Sequence, residues 1–412
     1  MPLKLIRAVV LLAILAGCSK STTSNAPQNT TSNTGKTTIL YLVADGITNN
    51  AVTLQNSIDS CSNVGGGTLE IPPAPGEYMF GPIYMLSNVN LKIDTGATLL
   101  ADPNMHDYLT NTGALLDLIG SEGSNLQNIS ITGGGTIDGN GAAWWTAFNN
   151  GTIVNRPRLI YISGCTNLTL EGVTLQNSPS FHFVPYQCTN VIANNLTILA
   201  PANSPNTDGI DPSQCDSVMI TNCTVNNGDD DIAIKAAGLC QGVYVKNCHF
   251  FNGHGLSIGS ETYGGMTRLT VDSCTFNGTT NGIRLKSYVG DGGAMTNLKY
   301  SNITMTNVTN PLVIDLTYSP PTAPAAYVPL VNGFTIDNLT IIGSSNAGSL
   351  IGLSNSILQN ITLNNINISA NSPLVITNAN NVSITDAIIN GVSVTQGSSN
   401  ISATNVTGRT GF

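Results

Sequence analysis

Residues 215–234 read CDSVMITNCTVNNGDDDIAI, and residues 240–258 read CQGVYVKNCHFFNGHGLSI; the second stretch repeats the plan of the first. Each opens on a cysteine, Cys215 or Cys240, and places another eight positions later, Cys223 or Cys248. Apolar residues alternate with polar ones on either side of that second cysteine: Val218 and Ile220 before Cys223, Val225 after it. Working outward, Cys165, Cys188, Met266 and Met295 open further units of the same kind, at steps of 23 to 29 residues. Val173, Leu196, Cys274 and Ile303 fall at the same eight-residue offset. Period-2 alternation over three to five residues, punctuated by Asn, Gly and Asp, is strand-and-turn chemistry. A constant early offset with variable length later describes three short strands per coil. Such a coil cannot bury its apolar side alone and must stack on its neighbours. The expected fold is all-β, a right-handed parallel β-helix.

The flanks complete this plan. The repeat runs to the end of the 412 residues without a linker, so residues 37–412 are expected to form one solenoid. Its open apolar end needs a cover. Ala51, Leu54, Ile58 and Cys61 lie on one helical face, with Asn49 or Asn50 as N-cap and Gly65 beyond the end, so residues 50–63 are expected to be a capping helix. Before them, Lys4 and Arg7 precede an apolar run ending in Leu15-Ala16-Gly17-Cys18. Residues 1–18 have the charge and length of an export signal and resemble a lipoprotein signal, which implies lipidation at Cys18. Residues 19–36, rich in Ser, Thr and Asn, read as a flexible tether. In resembling lipoproteins a residue other than Asp after the cysteine favours the outer membrane, and here it is Ser19. The other eight cysteines fall mainly into two inward columns and are expected to be buried thiols. Coils about 4.8 Å apart would still allow an occasional disulfide. No CxxC or Cys/His pairing of ligand spacing occurs, so no metal and no cofactor are expected.

Only 9% of residues are charged, yet ionisable groups gather on the third strand of consecutive coils. Taking Ile210, Ile232, Leu256, Ile283 and Leu312 as one inward position puts Asp208, Asp230 and His254 in a single column, with Asp229 beside it. One coil on, Arg284 and Lys286 flank inward Leu285 and point outward on the same face. Carboxylates crowded in this way cannot all ionise at ordinary cost, which is how a site obtains an acid beside a base. Glycoside hydrolysis uses such a pair, and a separation of about 6.5–9.5 Å gives inversion; two coil spacings span about that range.

NTDGID (206–211), GDD (228–230), GHG (253–255) and RLK (284–286), in this order, resemble the signature set of glycoside hydrolase family 28, the polygalacturonases. The likeness extends through GGTIDGNG (134–141), NGIRLKS (281–287) and GGGTLEIPP (65–73). It implies inverting hydrolysis of α-1,4-galacturonosyl linkages in pectin. Carried onto these positions, it implies Asp229 as general acid, Asp208 and Asp230 as the pair activating water, and His254 as the residue tuning the acid. Arg284 and Lys286 would grip a substrate carboxylate; Asn206 and, at the end of LVIDLTY, Tyr318 would bind sugar.

Asp231 departs from the family pattern and is expected to face solvent. Lys235 is outward near the column of Lys286, His249 is expected on the solvated surface, and Asp216 and Asp272 are expected turn residues. Two other readings stay open: a pectate lyase using Ca²⁺ with an Arg or Lys base, and a catalytically silent β-helix that binds glycans. The expected partner is a pectic polysaccharide, with the membrane engaged through Cys18, no nucleic acid, and a monomeric state. A net charge of −9 requires a local cationic patch to draw an acidic polymer.

Overall fold

The computed structural model describes residues 35–412 except Ser124. The export signal, Cys18 and nearly all of the tether lie outside the described residues, among which no helix is long and apolar enough to cross a membrane.

The chain is a right-handed parallel β-helix built from three stacks of short strands. Strands that open successive coils, such as Cys165–Glu171, Thr189–Asn194, Asp216–Thr221, Cys240–Lys246 and Met266–Asp272, pair in parallel register. A second stack runs through Thr197–Leu199, Thr224–Asn227, His249–Asn252 and Thr275–Asn277. The third carries Phe183–Tyr186, Ile232–Ile234, Leu256–Ile258, Asn281–Lys286 and Asn310–Asp315, with Ile210 and Ser213 bridging the first two. The inward register of Ile210, Ile232, Leu256, Ile283 and Leu312 is therefore as the sequence implies.

The bend from the first stack to the second is made by one residue with positive φ, usually Asn: Asn195, Asn222, Asn247 and Asn302. Asn tolerates this region and its amide bonds locally. Successive amides also join across coils, Asn247 Nδ2 donating to Asn222 Oδ1 at 2.7 Å and Asn338 Nδ2 to Asn302 Oδ1 at 2.7 Å. The turns are thus stitched along the axis as well as the strands. Inside, Cys165, Cys188, Cys215, Cys240, Cys223, Cys248 and Cys274 are all buried and free. Burial pushes the Cys165 thiol up to about 12 and that of Cys240 to about 11, so these thiols act as small hydrophobes.

Helix Ala51–Asn63 caps the first coils, burying Leu54 and Ile58; Asn49 Oδ1 accepts from the Ala51 amide, whereas Asn50 makes no side-chain cap bond. A second helix, Ala142–Asn149, was not anticipated by the periodicity. Its Trp144 packs edge-on against Tyr108 with ring centroids 5.7 Å apart.

Candidate active site

The outward positions of the third stack form the floor of a cleft of about 500 Å³. Of the six ionisable residues singled out by spacing, Asp208, Asp229, Asp230 and Lys286 line it, while His254 and Arg284 join through Asp229 and Asp230. Their backbones stack as expected, but their side chains split into three linked groups.

Asp230 is buried and surrounded by cations. Its Oδ1 accepts from Arg284 and, at 3.0 Å, from the Ser257 hydroxyl, while its Oδ2 accepts from Lys286 Nζ at 3.0 Å. Ser257 also accepts from Arg284 Nε at 2.9 Å, so the guanidinium is fixed on two sides. Strand register requires this arrangement, because Ser257 and Arg284 are direct neighbours across Leu256–Ile258 and Asn281–Lys286.

Asp229 faces the opening. Its Oδ1 lies 3.0 Å from His254 Nδ1 and accepts the Asp230 amide at 2.9 Å; its Oδ2 accepts from Asn206 Nδ2 at 3.3 Å. Burial opposes its charge, but His254, Lys286 and the Asp230 amide outweigh that effect and hold the carboxyl below its usual range. The glycines around His254 make this approach possible. A Cβ on Gly253 would meet Asn227 Oδ1 and the Asp229 carbonyl within 2.7 Å, and Gly255, at φ +71°, would collide with the Asn281 carbonyl.

Asp208 belongs to the third group. Lys235 Nζ lies 3.6 Å from its Oδ2 and 3.1 Å from Asp211 Oδ2, and sits 4.0 Å over the Phe181 ring. Burial, then the Asp211 charge, pushes Asp208 well above the usual carboxylate range, against the pull of Lys235. Burial likewise pushes Asp211 up to about 6, again opposed by Lys235. Asp208 Oδ1 is buried without a hydrogen-bond partner among the described residues. Behind it, buried His182 sets its Nδ1 3.1 Å from the Asp208 carbonyl; burial lowers its pKa to about 4, so the ring is neutral.

Several positions differ from expectation. Asp231 does not face solvent: it is fully buried, and its Oδ2 accepts the Gly255 amide at 2.9 Å. Its role is to anchor the His254 turn, and burial drives its pKa well above the carboxylate range. His249 does stand in the column with Thr224 and Thr275, but it is half-buried, with Nδ1 2.8 Å from Thr275 Oγ1. Asp216 and Asp272, expected in turns, instead sit at the first and last positions of strands Asp216–Thr221 and Met266–Asp272, where they accept from Gln241 and from Ser301 and Asn302 on the next coil. Tyr318 is half-exposed at the rim, its ring 5.7 Å from Lys286 Nζ.

The reading of spacing alone passed over Asp211, Ser257 and Arg156. Asp211 and Ser257 follow inward Ile210 and Leu256 by one residue, so alternation itself places them on the cleft floor. Arg156 gave no such signal. It reaches Asn206 Oδ1 at 2.7 Å and the Pro179 and Pro205 carbonyls at 2.9 and 2.6 Å, positioning the amide that contacts Asp229.

Asp229, Asp230 and His254 offer one donor atom each within 4.8 Å of one another, as a metal triad would. They fit a divalent cation poorly, because Arg284 and Lys286 already bond both Asp230 oxygens and would repel it.

The family described as "Glycosyl hydrolases family 28" matches residues 61–369. An endo-polygalacturonase of Pectobacterium parmentieri is 34% identical over 332 residues, covering 75% of this chain and 80% of its own. Among solved structures, polygalacturonase from Erwinia carotovora ssp. carotovora superposes with a TM-score of 0.71 at 27% identity, covering 93% of this chain and 97% of its own. The family 28 exopolygalacturonase of Yersinia enterocolitica gives 0.81 at 23% identity, covering 92% and 79%, and shares the fold.

Proposed function

The chain belongs to the glycosyl hydrolases of family 28, and from that membership we propose how its residues divide the hydrolysis of galacturonan, the reaction it performs. The observation that carries the reading is the Asp229–His254 pair at the cleft opening, beside an Asp230 clamped by two cations.

Cleavage of an α-1,4-galacturonosyl linkage needs a proton delivered to the leaving oxygen and a water that adds to the anomeric carbon. Asp229 is the group for the first task, being the most open of the three carboxyls and the one bonded to His254. In the free enzyme His254 favours the charged form of Asp229. Burial is already the largest single influence on Asp229 and acts the other way, so a sugar that displaces water from the cleft raises its pKa and lets it take up a proton. As the glycosidic C–O bond breaks, that proton passes to the departing hydroxyl. Asp208 and Asp230 flank the place for the water: Asp208 lines the cleft beside Lys235, and Asp230 is held rigid by Arg284, Lys286 and Ser257. The water's proton passes to this pair, and the new bond forms on the face opposite the leaving group.

Lys286 lines the cleft beside Tyr318, where it meets a substrate carboxylate, and Arg284 supports it from behind Asp230. A Ca²⁺-dependent elimination is not favoured, since the carboxylates it would use carry the protein's own cations. The test is chromatography of the products from polygalacturonate. Saturated galacturonate oligomers from the wild type, and near-absence of them with Asp229→Asn, are expected; ultraviolet-absorbing unsaturated products would overturn hydrolysis.

We further propose that Cys18 is lipidated and that the enzyme works as a monomer tethered to the outer membrane. Lys4, Arg7, the apolar run to Leu15 and the terminal cysteine support this reading. A single acyl chain binds a membrane only marginally, so several are required. Cys18→Ser is expected to leave the membrane fraction and take up no lipid label; continued labelling would refute the anchor.

A further inference from the structure

The cleft does not end at the ionisable cluster. Its floor continues toward the N-terminal coils onto Ile160–Ser163 and Phe183–Tyr186, where its character changes. Tyr186 stands in the column of Ser213 and Lys235, two coils before the lysine and so on the order of 10 Å from it. Tyr161 lies one coil earlier still, in the neighbouring outward column through Val184. The two rings stack, with centroids 5.9 Å apart and planes 29° apart. The Arg158 guanidinium carbon lies over the Tyr161 ring, 3.5 Å from its centroid. The guanidinium is not free: Nε and Nη2 donate to the two oxygens of Asp117 at 2.7 and 2.8 Å. Tyr186 Oη accepts from Gln214 Nε2 at 3.2 Å, which fixes the second ring.

We propose that this layer of Arg158, Tyr161 and Tyr186 is a distal subsite that holds one pyranose unit of a long substrate by its ring face, not by its carboxylate. The proposal rests on the galacturonan reading above and extends it along the cleft. Aromatic faces carry negative charge and attract the positive C–H edges presented by a sugar face. A cation stacked on the outer ring stiffens the platform. With its fork committed to Asp117, Arg158 has little attraction left for a uronate, unlike Lys286 at the reaction centre. The subsite therefore accepts a free uronic acid, its ester or a neutral sugar alike. Its contribution appears only when the chain is long enough to reach it.

The experiment measures kcat/KM on a ladder of galacturonate oligomers for the wild type, Tyr161→Ala, Tyr186→Ala and Tyr161→Phe. For the alanine variants the loss is expected to grow with oligomer length, reaching roughly 2- to 12-fold on the longest, while Tyr161→Phe keeps the wild-type length dependence. An equal loss at every length, or a variant that gains from length as the wild type does, overturns the subsite. Repeating the ladder at high salt separates the two ways of holding the sugar. Stacking survives screening, so the wild-type gain with length is expected to persist; its collapse would show an ionic clamp at Arg158 and refute face recognition. A wild type that releases no reducing ends from any oligomer would instead remove the hydrolase reading beneath the proposal.

Discussion

On the inward side of the third stack, five consecutive coils carry Ile210, Ile232, Leu256, Ile283 and Leu312; one residue further on, the same coils carry Asp211, Ala233, Ser257, Arg284 and Val313 outward. The first series barely changes and the second hardly repeats. Inward side chains pack against the coils above and below, so volume and polarity are fixed by neighbours of the same kind. Outward side chains answer to no such demand, and chemistry accumulates there while the register holds it in line. The contrast makes separable predictions about rate and stability.

The largest effect is expected outside. Asp229→Asn should lower turnover about 10²–10⁴-fold while leaving thermal unfolding nearly unchanged, read by reducing-end assays beside calorimetry. A comparable loss of melting temperature would show that the outward series is structural after all.

Lys235 is where the contrast should break. It is outward but largely buried, and Lys235→Met leaves Asp208 and Asp211 without their counter-charge. A destabilisation of about 3–5 kcal/mol is expected in denaturant unfolding, with Lys235→Arg recovering part of it. A change below 1 kcal/mol would mean those two carboxyls are already neutral at the assay pH. Inside, Ile232→Ala should cost about 2–5 kcal/mol in the same assay, and activity per folded molecule should change little.

The smallest effect is on the pH dependence of stability. Asp208, Asp211 and Asp231 all have folded pKa values above the ordinary carboxylate value, Asp211 at about 6. Between that ordinary value and 6 the folded chain binds more protons than the unfolded one, so stability falls as pH rises. Asp229, whose pKa is depressed, loses its contribution only below the ordinary range. His182, lowered to about 4, works the other way up to the ordinary imidazole value, but one ring opposes three carboxyls. The melting temperature should therefore be higher at about pH 5 than at about pH 7, with a flatter slope in Asp211→Asn. A melting temperature that rises toward neutrality would contradict the burial assigned to these groups.

Much of this was legible in the sequence because a solenoid makes local spacing global. The eight-residue offset from Cys215 to Cys223 and from Cys240 to Cys248 fixes which residues face inward, and that alone aligns Asp208, Asp230, His254 and Arg284 on one wall. What spacing could not show is where a side chain goes after leaving the backbone. Asp208 and Asp230 share a column, yet one turns to Lys235 and the other to Arg284 and Lys286. Asp231, in a polar run, reads as solvated; it is buried because the Gly255 amide one coil away needs an acceptor. Arg156 was invisible for another reason. It lies on the chain leading into Ile160–Ser163, outside any strand, and meets Asn206 across 50 residues.

The central claim, that Asp229 protonates the leaving oxygen while Asp208 and Asp230 direct water to the far face of the anomeric carbon, is tested most directly by proton NMR of the first reducing ends released from polygalacturonate. The account predicts that the α-linkage yields β-anomers first, which then equilibrate. Initial α-anomers would contradict it by requiring a covalent intermediate on one of these aspartates.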